Sequence, residues 1–280
     1  MPFIAGHEGA GVVEQVGSRV NHVKVGDHVL LTFNSCGQCQ SCQTGHPAYC
    51  ANIFQLNLSG SRMDGSSTFS LNGKDVSSPF FGQSSFSQRA IVSGRSAVRI
   101  DKSLPLDILC SLGCGLQTGA GTILNTLKPT VGSTVVIFGV GAVGMAGIMA
   151  AKLTPAAKII AVDVVDSKLK LAAELGATHT INSKEKDVSH EIKALTGGKG
   201  FNFAFDATGN VKVIQNMIDS APPMSVVASV GASRPGDTVQ IEPATWISRG
   251  VSYTGTHQGS SVPQEVGFFP FKPNVIYLRG

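Results

Sequence analysis

Four of the chain's six cysteines lie within fifteen residues, in the segment "CGQCQSCQTGHPAYC". They follow the spacing C-x2-C-x2-C-x7-C and occupy positions Cys36, Cys39, Cys42 and Cys50. Thiols this close together can form disulfides, hold an iron–sulfur cluster, or bind one zinc ion through four thiolates. These three alternatives make different demands on the rest of the sequence.

The disulfide alternative requires an oxidising compartment, and the first residues give no sign of export. The segment "MPFIAGHEGAG" has no basic region and carries Glu8 early, so it does not resemble a secretory signal. We therefore expect a reducing, cytoplasmic location. Clustered cysteines there more often bind metal than form disulfides.

The spacing then separates iron–sulfur from zinc. Bacterial ferredoxins also begin C-x2-C-x2-C, but they continue with x3-C-P. Here Cys50 lies eight residues after Cys42 and is followed by Ala51. Zinc accepts four thiolates in a tetrahedron and can close a loop that has no core of its own. The spacing favours a structural zinc site, with an iron–sulfur cluster or free thiols as the alternatives.

A second pattern that can do chemistry is "GVGAVG", which matches G-x-G-x-x-G and follows an apolar run. In this context Gly139 can make a tight turn, Gly141 lets the backbone approach a pyrophosphate, and Gly144 lets a helix pack against the strand. The helix N-terminus adds free N–H groups and a positive dipole end. The alternative is a glycine-rich turn that binds nothing. We expect a dinucleotide site that comprises Gly139, Val140, Gly141, Ala142, Val143 and Gly144.

The next apolar run, "KIIAVDV", carries Asp163, which lies 24 residues after Gly139. A carboxylate at this place accepts hydrogen bonds from the adenosine ribose and repels a 2′-phosphate. No arginine adjoins it, and Lys168 is five residues further on. The expected cofactor is therefore NAD rather than NADP.

The elements that must position these residues change in character near residue 103. Before it, the short β-branched runs "GAGVVEQVG", "GDHVLLTF" and "FSQRAIVS" predict a β-rich domain, with residues 57–85 as a long surface loop. After it, six apolar strands alternate with helices of about ten residues, which is typical of an α/β, doubly wound parallel sheet. The dinucleotide motif falls between the first strand and the first helix of this sheet.

Composition excludes other classes of protein. A hydrophobic content of 42% with 14% charged residues indicates a globular chain rather than a disordered one. The net charge of +4 comes from scattered basic residues, whereas nucleic-acid binding needs clustered ones. The longest apolar run, residues 135–151, contains four glycines and is shorter than the roughly 20 residues of a membrane-spanning helix. We expect neither a nucleic-acid partner nor a membrane span.

With these motifs in place, the chain resembles the zinc-dependent medium-chain alcohol dehydrogenases. A four-cysteine lobe lies between "GHEGAGVVEQVGSRV" and a G-x-G-x-x-G sheet, and "LGCGLQTGAGTILNTLK" is among the most specific shared segments. With "FFGQSSFSQRAIV", the chain looks most like the aryl-alcohol (benzyl-alcohol) dehydrogenase branch, although glutathione-dependent formaldehyde dehydrogenases share much of the pattern. The resemblance implies a GroES-like domain at 1–102 with its zinc lobe at 36–50, a Rossmann NAD-binding domain at 103–257 and a partial C-terminal segment at 258–280.

The resemblance also implies roles for single residues. His7 and Cys114 would bind a catalytic zinc, with Glu8 as a carboxylate near the metal. That zinc would polarise an alcohol oxygen, and hydride would pass to the nicotinamide. Asp163 and Lys168 would hold the adenosine ribose. Thr118 would lie near the nicotinamide, and the cofactor groove would be lined by Ala207, Thr208, Val230 and Gly231.

Relatives carry a further cysteine ligand before the histidine, by more residues than the six that precede His7 here. The hydroxyl residue of their proton relay and the first part of their β-domain fall in the same stretch. At the other end, "GFFPFKPNVIYLRG" has Pro270 and Pro273 where relatives tend to form a helix. We therefore expect a chain that is truncated at both ends, with an incomplete GroES-like domain.

Three hypotheses follow for the function. The first is an NAD-dependent zinc alcohol dehydrogenase that oxidises a primary, aromatic alcohol to the aldehyde. The second is a catalytically impaired fragment that keeps NAD and the structural zinc, and the third is an iron–sulfur or zinc-ribbon module without dehydrogenase chemistry. Because the last strand would leave an open sheet edge, and because relatives commonly dimerise there, a homodimer or homotetramer is expected for a complete chain.

Overall fold

The computed structural model describes residues 2–266 and divides into two compact units. The first unit contains the residues up to Gln117 together with the described residues from Ser261 onward. The second unit is Thr118–Ser260. The domain limits expected at 102/103 and 257/258 stay predictions, and the segment "GFFPFKPNVIYLRG" (residues 267–280) lies outside the described residues.

The first unit is built on a three-stranded antiparallel sheet. Strand β2 (His28–Leu31) lies in the centre, between β1 (Ala10–Val12) and β5 (Ala97–Ile100). In the register, Gly11 is opposite Val29, while β2 and β5 pair along their whole length. Val29, Leu31 and Ala97 form part of a small apolar cluster, as expected for a sheet with one buried face.

Two sequence predictions for this unit were wrong. The supposed surface loop at 57–85 contains a hairpin of β3 (Phe69–Leu71) and β4 (Lys74–Val76). Its two-residue turn is Asn72–Gly73, both with positive φ, which is the geometry that Asn-Gly favours in hairpins. The segment at residues 86–93, predicted as a strand, has no strand partner among residues 2–266, and the side chain of Ile91 is 62% exposed.

Short helices and turns connect these strands. Helix α3 (Leu106–Leu109) and the 3₁₀ turn Cys110–Gly113 pack against β2, and α3 also packs against β1. This packing explains why the first unit extends to Gln117. The remaining helices and turns of the unit are α1 (Gln40–Gln43), Pro47–Tyr49, α2 (Ile53–Leu58), Phe80–Gly82, Gly94–Ser96 and α10 (Pro263–Val266).

The second unit contains the predicted parallel sheet. The described part of this sheet has six strands, all pairs of neighbours are parallel, and the spatial order is β11-β10-β9-β6-β7-β8. This confirms the doubly wound α/β fold that the alternating pattern predicted. The strands are β6 (Thr134–Phe138), β7 (Lys158–Asp163), β8 (His179–Asn182), β9 (Phe203–Asp206), β10 (Val226–Ser229) and β11 (Ser252–Gly255).

Helices cover both faces of this sheet. Ile137 and Ile148 belong to the core on one face, and Ile160 and Met217 belong to the core on the other. Buried residues on both faces explain why the strands are continuous apolar runs rather than alternating ones. The helices of this unit begin with the part of α4 (Gly115–Gly121) from Thr118 onward, followed by the π turn Thr122–Leu127. The others are α5 (Ala142–Lys152), α6 (Asp166–Leu175), α7 (Val188–Leu195), α8 (Val211–Ser220) and α9 (Pro243–Arg249), with a 3₁₀ turn at Gln258–Ser260.

The long apolar run at 135–151 is divided between β6 and α5, with the glycine-rich turn between them. A strand–turn–helix unit of this kind needs apolar residues throughout because both elements are buried. Within residues 2–266, no helix combines the length and the apolar character that crossing a membrane requires.

Candidate functional site

The four clustered cysteines bring their sulfur atoms together. All four Sγ atoms lie within 4.8 Å of one another, with 4.0 Å between Cys36 and Cys42 and 4.0 Å between Cys39 and Cys50. A tetrahedron with Zn–S bonds of about 2.3 Å places its sulfurs about 3.8 Å apart. All four are free thiols. The donor set therefore fits a closed tetrathiolate zinc site.

Backbone N–H groups point at these sulfurs. Cys36 Sγ accepts from the N–H groups of Gln38 (3.4 Å) and Cys39 (3.3 Å), and Cys50 Sγ accepts from those of Cys36 (3.3 Å) and Asn52 (3.4 Å). Hydrogen bonds of this kind stabilise a thiolate over a thiol. The loop thus folds so that its main chain supports negative charge on sulfur.

The pKa values of the four thiols show why a cation belongs in this loop. Backbone N–H donors lower the pKa of Cys36 to about 6 and also lower the pKa of Cys39. Burial raises the pKa of Cys42 to about 12 and raises the pKa of Cys50. Two of the four thiolates are therefore unfavourable without a nearby positive charge, which a divalent ion supplies.

A second group of donors joins residues that are far apart in the sequence. The side-chain donor atoms of His7, Glu8 and Cys114 lie within 4.8 Å of one another. Both segments attach to β2. The N–H of Leu31 donates to the carbonyl of Gly9 (2.8 Å), and a Cβ added to Gly113 would lie 1.9 Å from the Leu31 carbonyl oxygen.

Glu8 links the two segments directly. Its Oε1 accepts a hydrogen bond from the backbone N–H of Gly115 at 2.9 Å, next to Cys114 in the chain. An imidazole and a thiol are donors that catalytic zinc sites use, and a carboxylate beside them can orient such ligands. The structure therefore places Glu8 in the same donor group as His7 and Cys114, and the residues fit the metal.

Aromatic rings lie beside this donor group. The ring of His7 is 4.7 Å from that of Phe81 and 5.8 Å from that of Phe80, and Phe80 contacts Phe3 edge-on at 5.4 Å. Phe81 has a φ of +51°, a left-handed conformation that is costly for a bulky residue. Sequence reasoning assigned no role to these rings, although Phe80 and Phe81 follow the hairpin in the segment "FFGQSSFSQRAIV".

The dinucleotide motif forms the turn between β6 and α5. Gly139 has a φ of +84°, and a Cβ at Gly144 would lie 2.0 Å from the Gly139 carbonyl oxygen, so both positions require glycine. A Cβ at Gly141, by contrast, would meet no atom within 4 Å. The turn is thus closely packed on its inner side and open at Gly141, as a backbone approach to a pyrophosphate requires.

Asp163 lies at the end of β7 beside this turn. Its carboxylate accepts hydrogen bonds from the backbone N–H groups of Val140 (2.8 Å), Val164 (2.7 Å) and Val165 (3.1 Å). These bonds hold the carboxylate next to the glycine turn. Lys168 lies in the first turn of α6 with an exposed side chain. The ribose-binding roles of both residues stay predictions.

A second acid, which sequence reasoning missed, organises the neighbouring loop. Asp206 is fully buried at the end of β9 and accepts hydrogen bonds from the N–H (3.0 Å) and Oγ1 (2.5 Å) of Thr208 and from the N–H of Gly209 (3.0 Å). The N–H groups of Val230 and Gly231 donate to its carbonyl (3.0 and 3.1 Å). The strand-end acid in "FDATG" is the signal that could have identified it.

The predicted groove residues therefore gather at the carboxyl ends of neighbouring strands. A cavity of about 740 Å³ opens there and is lined by Gly139, Asp163 and Thr208. β6 lies between β9 and β7, so the order in which successive strands are added to the sheet reverses at this point. Doubly wound folds bind their ligands at such a point. Sequence reasoning did not name the lining residues from α7, α8 and the loop before α7, among them Ser183, Lys186, Asp187, Lys193 and Asn216.

Thr118 lies elsewhere in the same unit. It is buried in α4, and its carbonyl accepts a hydrogen bond from Thr122 Oγ1 at 2.7 Å. Its proximity to a nicotinamide stays a prediction.

Comparison with known proteins gives the same picture. Residues 1–102 match the family model "Alcohol dehydrogenase GroES-like domain", and residues 142–268 match "Zinc-binding dehydrogenase". A geraniol dehydrogenase from Castellaniella defragrans is 38% identical over 291 residues, which cover 100% of this chain and 78% of the relative.

Two solved structures are similar over most of the chain. An alcohol dehydrogenase zinc-binding domain protein from Burkholderia ambifaria has a TM-score of 0.91 and 44% identity, covering 94% of this chain and 71% of that one. Benzyl alcohol dehydrogenase from Acinetobacter calcoaceticus has a TM-score of 0.89 and 40% identity, covering 95% of this chain and 72% of that one. The four-cysteine loop, the donor group at His7 and the glycine turn on a parallel sheet thus occur together in a chain that belongs to the zinc-dependent alcohol dehydrogenases, a family of nicotinamide- and zinc-dependent oxidoreductases.

Proposed function

We propose that this protein oxidises primary alcohols with an apolar, aromatic body to aldehydes and transfers the hydride to NAD. The observation that carries the proposal is the donor group of His7, Glu8 and Cys114 with aromatic rings beside it. His7 and Cys114 would hold the catalytic zinc, with the Glu8 carboxylate next to it. When bound, the zinc supplies a Lewis acid that lowers the pKa of an alcohol.

The aromatic residues support the choice of substrate. Phe80 and Phe81 contact the His7 ring and offer an apolar surface to the body of an alcohol whose hydroxyl lies at the metal. Such a surface excludes water and binds flat rings through stacking contacts. The names of two similar proteins, a geraniol dehydrogenase and a benzyl alcohol dehydrogenase, indicate primary alcohols with an apolar body for those relatives, and the second of these alcohols is aromatic.

The test is an alcohol oxidation assay on the zinc-loaded protein, followed by NADH absorbance. We expect kcat/KM for benzyl alcohol and geraniol to exceed that for ethanol by about tenfold or more, because each buried methylene contributes about 0.8 kcal/mol. His7→Ala should lower kcat by about 100-fold or more, since metal polarisation provides several kcal/mol of transition-state stabilisation. His190→Ala, an exposed histidine on α7, serves as the control.

Absence of NADH formation with every primary alcohol would contradict the proposal. If the protein forms no NADH but still binds NADH and one zinc ion, the hypothesis of a catalytically impaired fragment is supported instead.

The preference for NAD depends on Asp163, and Asp163→Asn tests it. A neutral amide no longer repels a 2′-phosphate, and it loses charge-assisted hydrogen bonds that hold the turn. We expect NADH affinity to fall about tenfold and the NADPH-to-NADH affinity ratio to rise, because hydrogen bonds to a charged group exceed neutral ones by about 1 kcal/mol. Titration of cofactor fluorescence measures both affinities.

Asp237→Asn is the matched control, because Asp237 lies in an exposed loop of the same unit and its carboxylate accepts, among residues 2–266, from the N–H of Arg234 in its own loop. An unchanged affinity ratio in Asp163→Asn would show that this carboxylate does not select the cofactor.

A homodimer or homotetramer stays a prediction. In the described part of the sheet, β11 pairs only with β10, so its outer edge is available for another chain.

A further inference from the structure

Three buried polar side chains lie beneath the donor group of the first unit. Gln83, Thr32 and Gln117 are 0%, 1% and 2% exposed. Glutamine is mostly an exposed residue, and a buried amide is costly unless its hydrogen bonds are satisfied. Two such glutamines in one small unit therefore need a reason.

Gln83 binds the main chain around His7 and Glu8. Its Oε1 accepts from the N–H of Gly9 at 3.0 Å, and its Nε2 donates to the carbonyl of His7 at 2.9 Å. One amide thus holds the main chain on both sides of Glu8. The same Nε2 also donates to the carbonyl of Thr32 at 3.4 Å.

Gln117 does the same for the second segment. Its Nε2 donates to the carbonyl of Gly113, which precedes Cys114, at 2.7 Å, and to Oγ1 of Thr32 at 2.9 Å. Thr32 follows β2 and is held by its own N–H, which donates to the carbonyl of Ser96 at 2.9 Å. The two glutamines therefore meet at one threonine, and the connection runs from His7 to Gly113 without a gap.

We propose that Gln83 and Gln117, joined through Thr32, are positioning residues that set the separation between the His7 imidazole and the Cys114 thiol. The inference depends on the proposed function, in which these two side chains bind zinc. Neither glutamine contributes a ligand atom, so both act through the backbone of the ligand segments. Metal sites require ligands placed to within about 0.5 Å, and loops hold such positions only when other residues support them.

The chemistry of the three residues suits this task better than apolar packing would. Aliphatic side chains would fill the same volume, but they would leave the carbonyls of His7 and Gly113 and the N–H of Gly9 without these partners. Satisfied polar networks in a low-dielectric interior specify one arrangement of the groups they join. The network therefore fixes the positions of the His7 and Cys114 segments in addition to stabilising the fold.

The experiment uses Gln83→Met and Gln117→Met, which keep length and volume but remove the hydrogen bonds. Cobalt(II) is titrated into metal-free protein, and the absorption of the single-thiolate site is separated from that of the four-cysteine loop. We expect cobalt affinity at the His7 site to fall about 10- to 100-fold in each variant and its spectrum to shift, because loss of an outer hydrogen-bond partner has effects of this size. Cobalt binding to the four-cysteine loop should be unchanged.

The double variant adds a second readout. Because both glutamines act through Thr32, their effects on cobalt affinity should not add, whereas independent structural losses would. Asp27→Ala is the matched control: Asp27 is 3% exposed in the same unit, its carboxylate accepts from the N–H of Lys24 at 3.0 Å, and it precedes β2, whereas Thr32 follows that strand. It should lower the melting temperature and leave the cobalt spectrum as in the wild type.

The outcomes are distinct. If Gln83→Met and Gln117→Met bind cobalt with wild-type affinity and spectrum, the positioning role is overturned even when both are less stable. If the wild type binds one cobalt ion instead of two, the zinc site of the proposed function is overturned together with this inference. If Gln83→Met does not fold, Gln117→Met alone decides, since it supports the other ligand segment.

Discussion

Cys50→Ser is expected to remove one zinc ion per chain and to unfold the loop at residues 36–50. Cys50 is the most buried of the four cysteines, at 2% exposed, and its sulfur accepts two backbone N–H groups. A structural zinc site contributes about 10–16 kcal/mol in zinc-finger peptides, and a loop with no apolar core of its own cannot replace that. Metal analysis and limited proteolysis within residues 36–50 measure the effect.

Cys110→Ser is the control for this experiment. Cys110 belongs to neither donor group of the described residues, and its sulfur donates to the carbonyl of Asp107, which a serine hydroxyl can also do. The zinc content of the Cys110→Ser protein should equal that of the wild type. A Cys50→Ser protein that keeps the full zinc content would show that the four cysteines do not bind the metal. A brown protein that contains iron would show that the four cysteines hold an iron–sulfur cluster instead of zinc.

The second large effect is expected at the glycine turn, where two neighbouring glycines should behave differently. In Gly141→Ala the added methyl group meets no atom within 4 Å, so the free energy of unfolding should change by only about 1 kcal/mol. NADH affinity should nevertheless fall about 10- to 150-fold, because charge-assisted hydrogen bonds to the pyrophosphate, worth about 1.5–3 kcal/mol, are blocked. In Gly144→Ala the methyl group lies 2.0 Å from a carbonyl oxygen, so both stability and binding should be lost.

Calorimetric titration with NADH and thermal unfolding distinguish the two variants. Gly17→Ala is a suitable control, since Gly17 lies in the first unit and its added methyl group also meets no atom within 4 Å. Unchanged NADH affinity in Gly141→Ala would place the pyrophosphate elsewhere.

The second unit could be predicted well because its signals are local. Each strand of its sheet is a short apolar run, and Gly176 ends α6 with a φ of +134°, as expected for a helix closed by glycine. The dinucleotide turn likewise places its glycine requirements next to one another in the sequence. Local steric rules are sufficient in such places.

The first unit was harder because its elements depend on distant partners. The Asn72–Gly73 turn was a local signal that was overlooked, whereas the segment at 86–93 has β-branched residues but no strand beside it. Gln83 gives no signal of its own, since its hydrogen bonds reach residues more than 50 positions away. The same holds for the contact between Phe81 and His7.

The attachment of both ligand segments to β2 has a mechanical consequence. Leu31 bonds to the segment of His7 through its N–H and touches the segment of Cys114 through its carbonyl. We expect a displacement of this strand to carry the His7 and Cys114 segments together, so that the distance between imidazole and thiol changes little. Heating should therefore loosen the surrounding loops before it separates the side chains of His7 and Cys114, which amide hydrogen exchange of the two segments can measure.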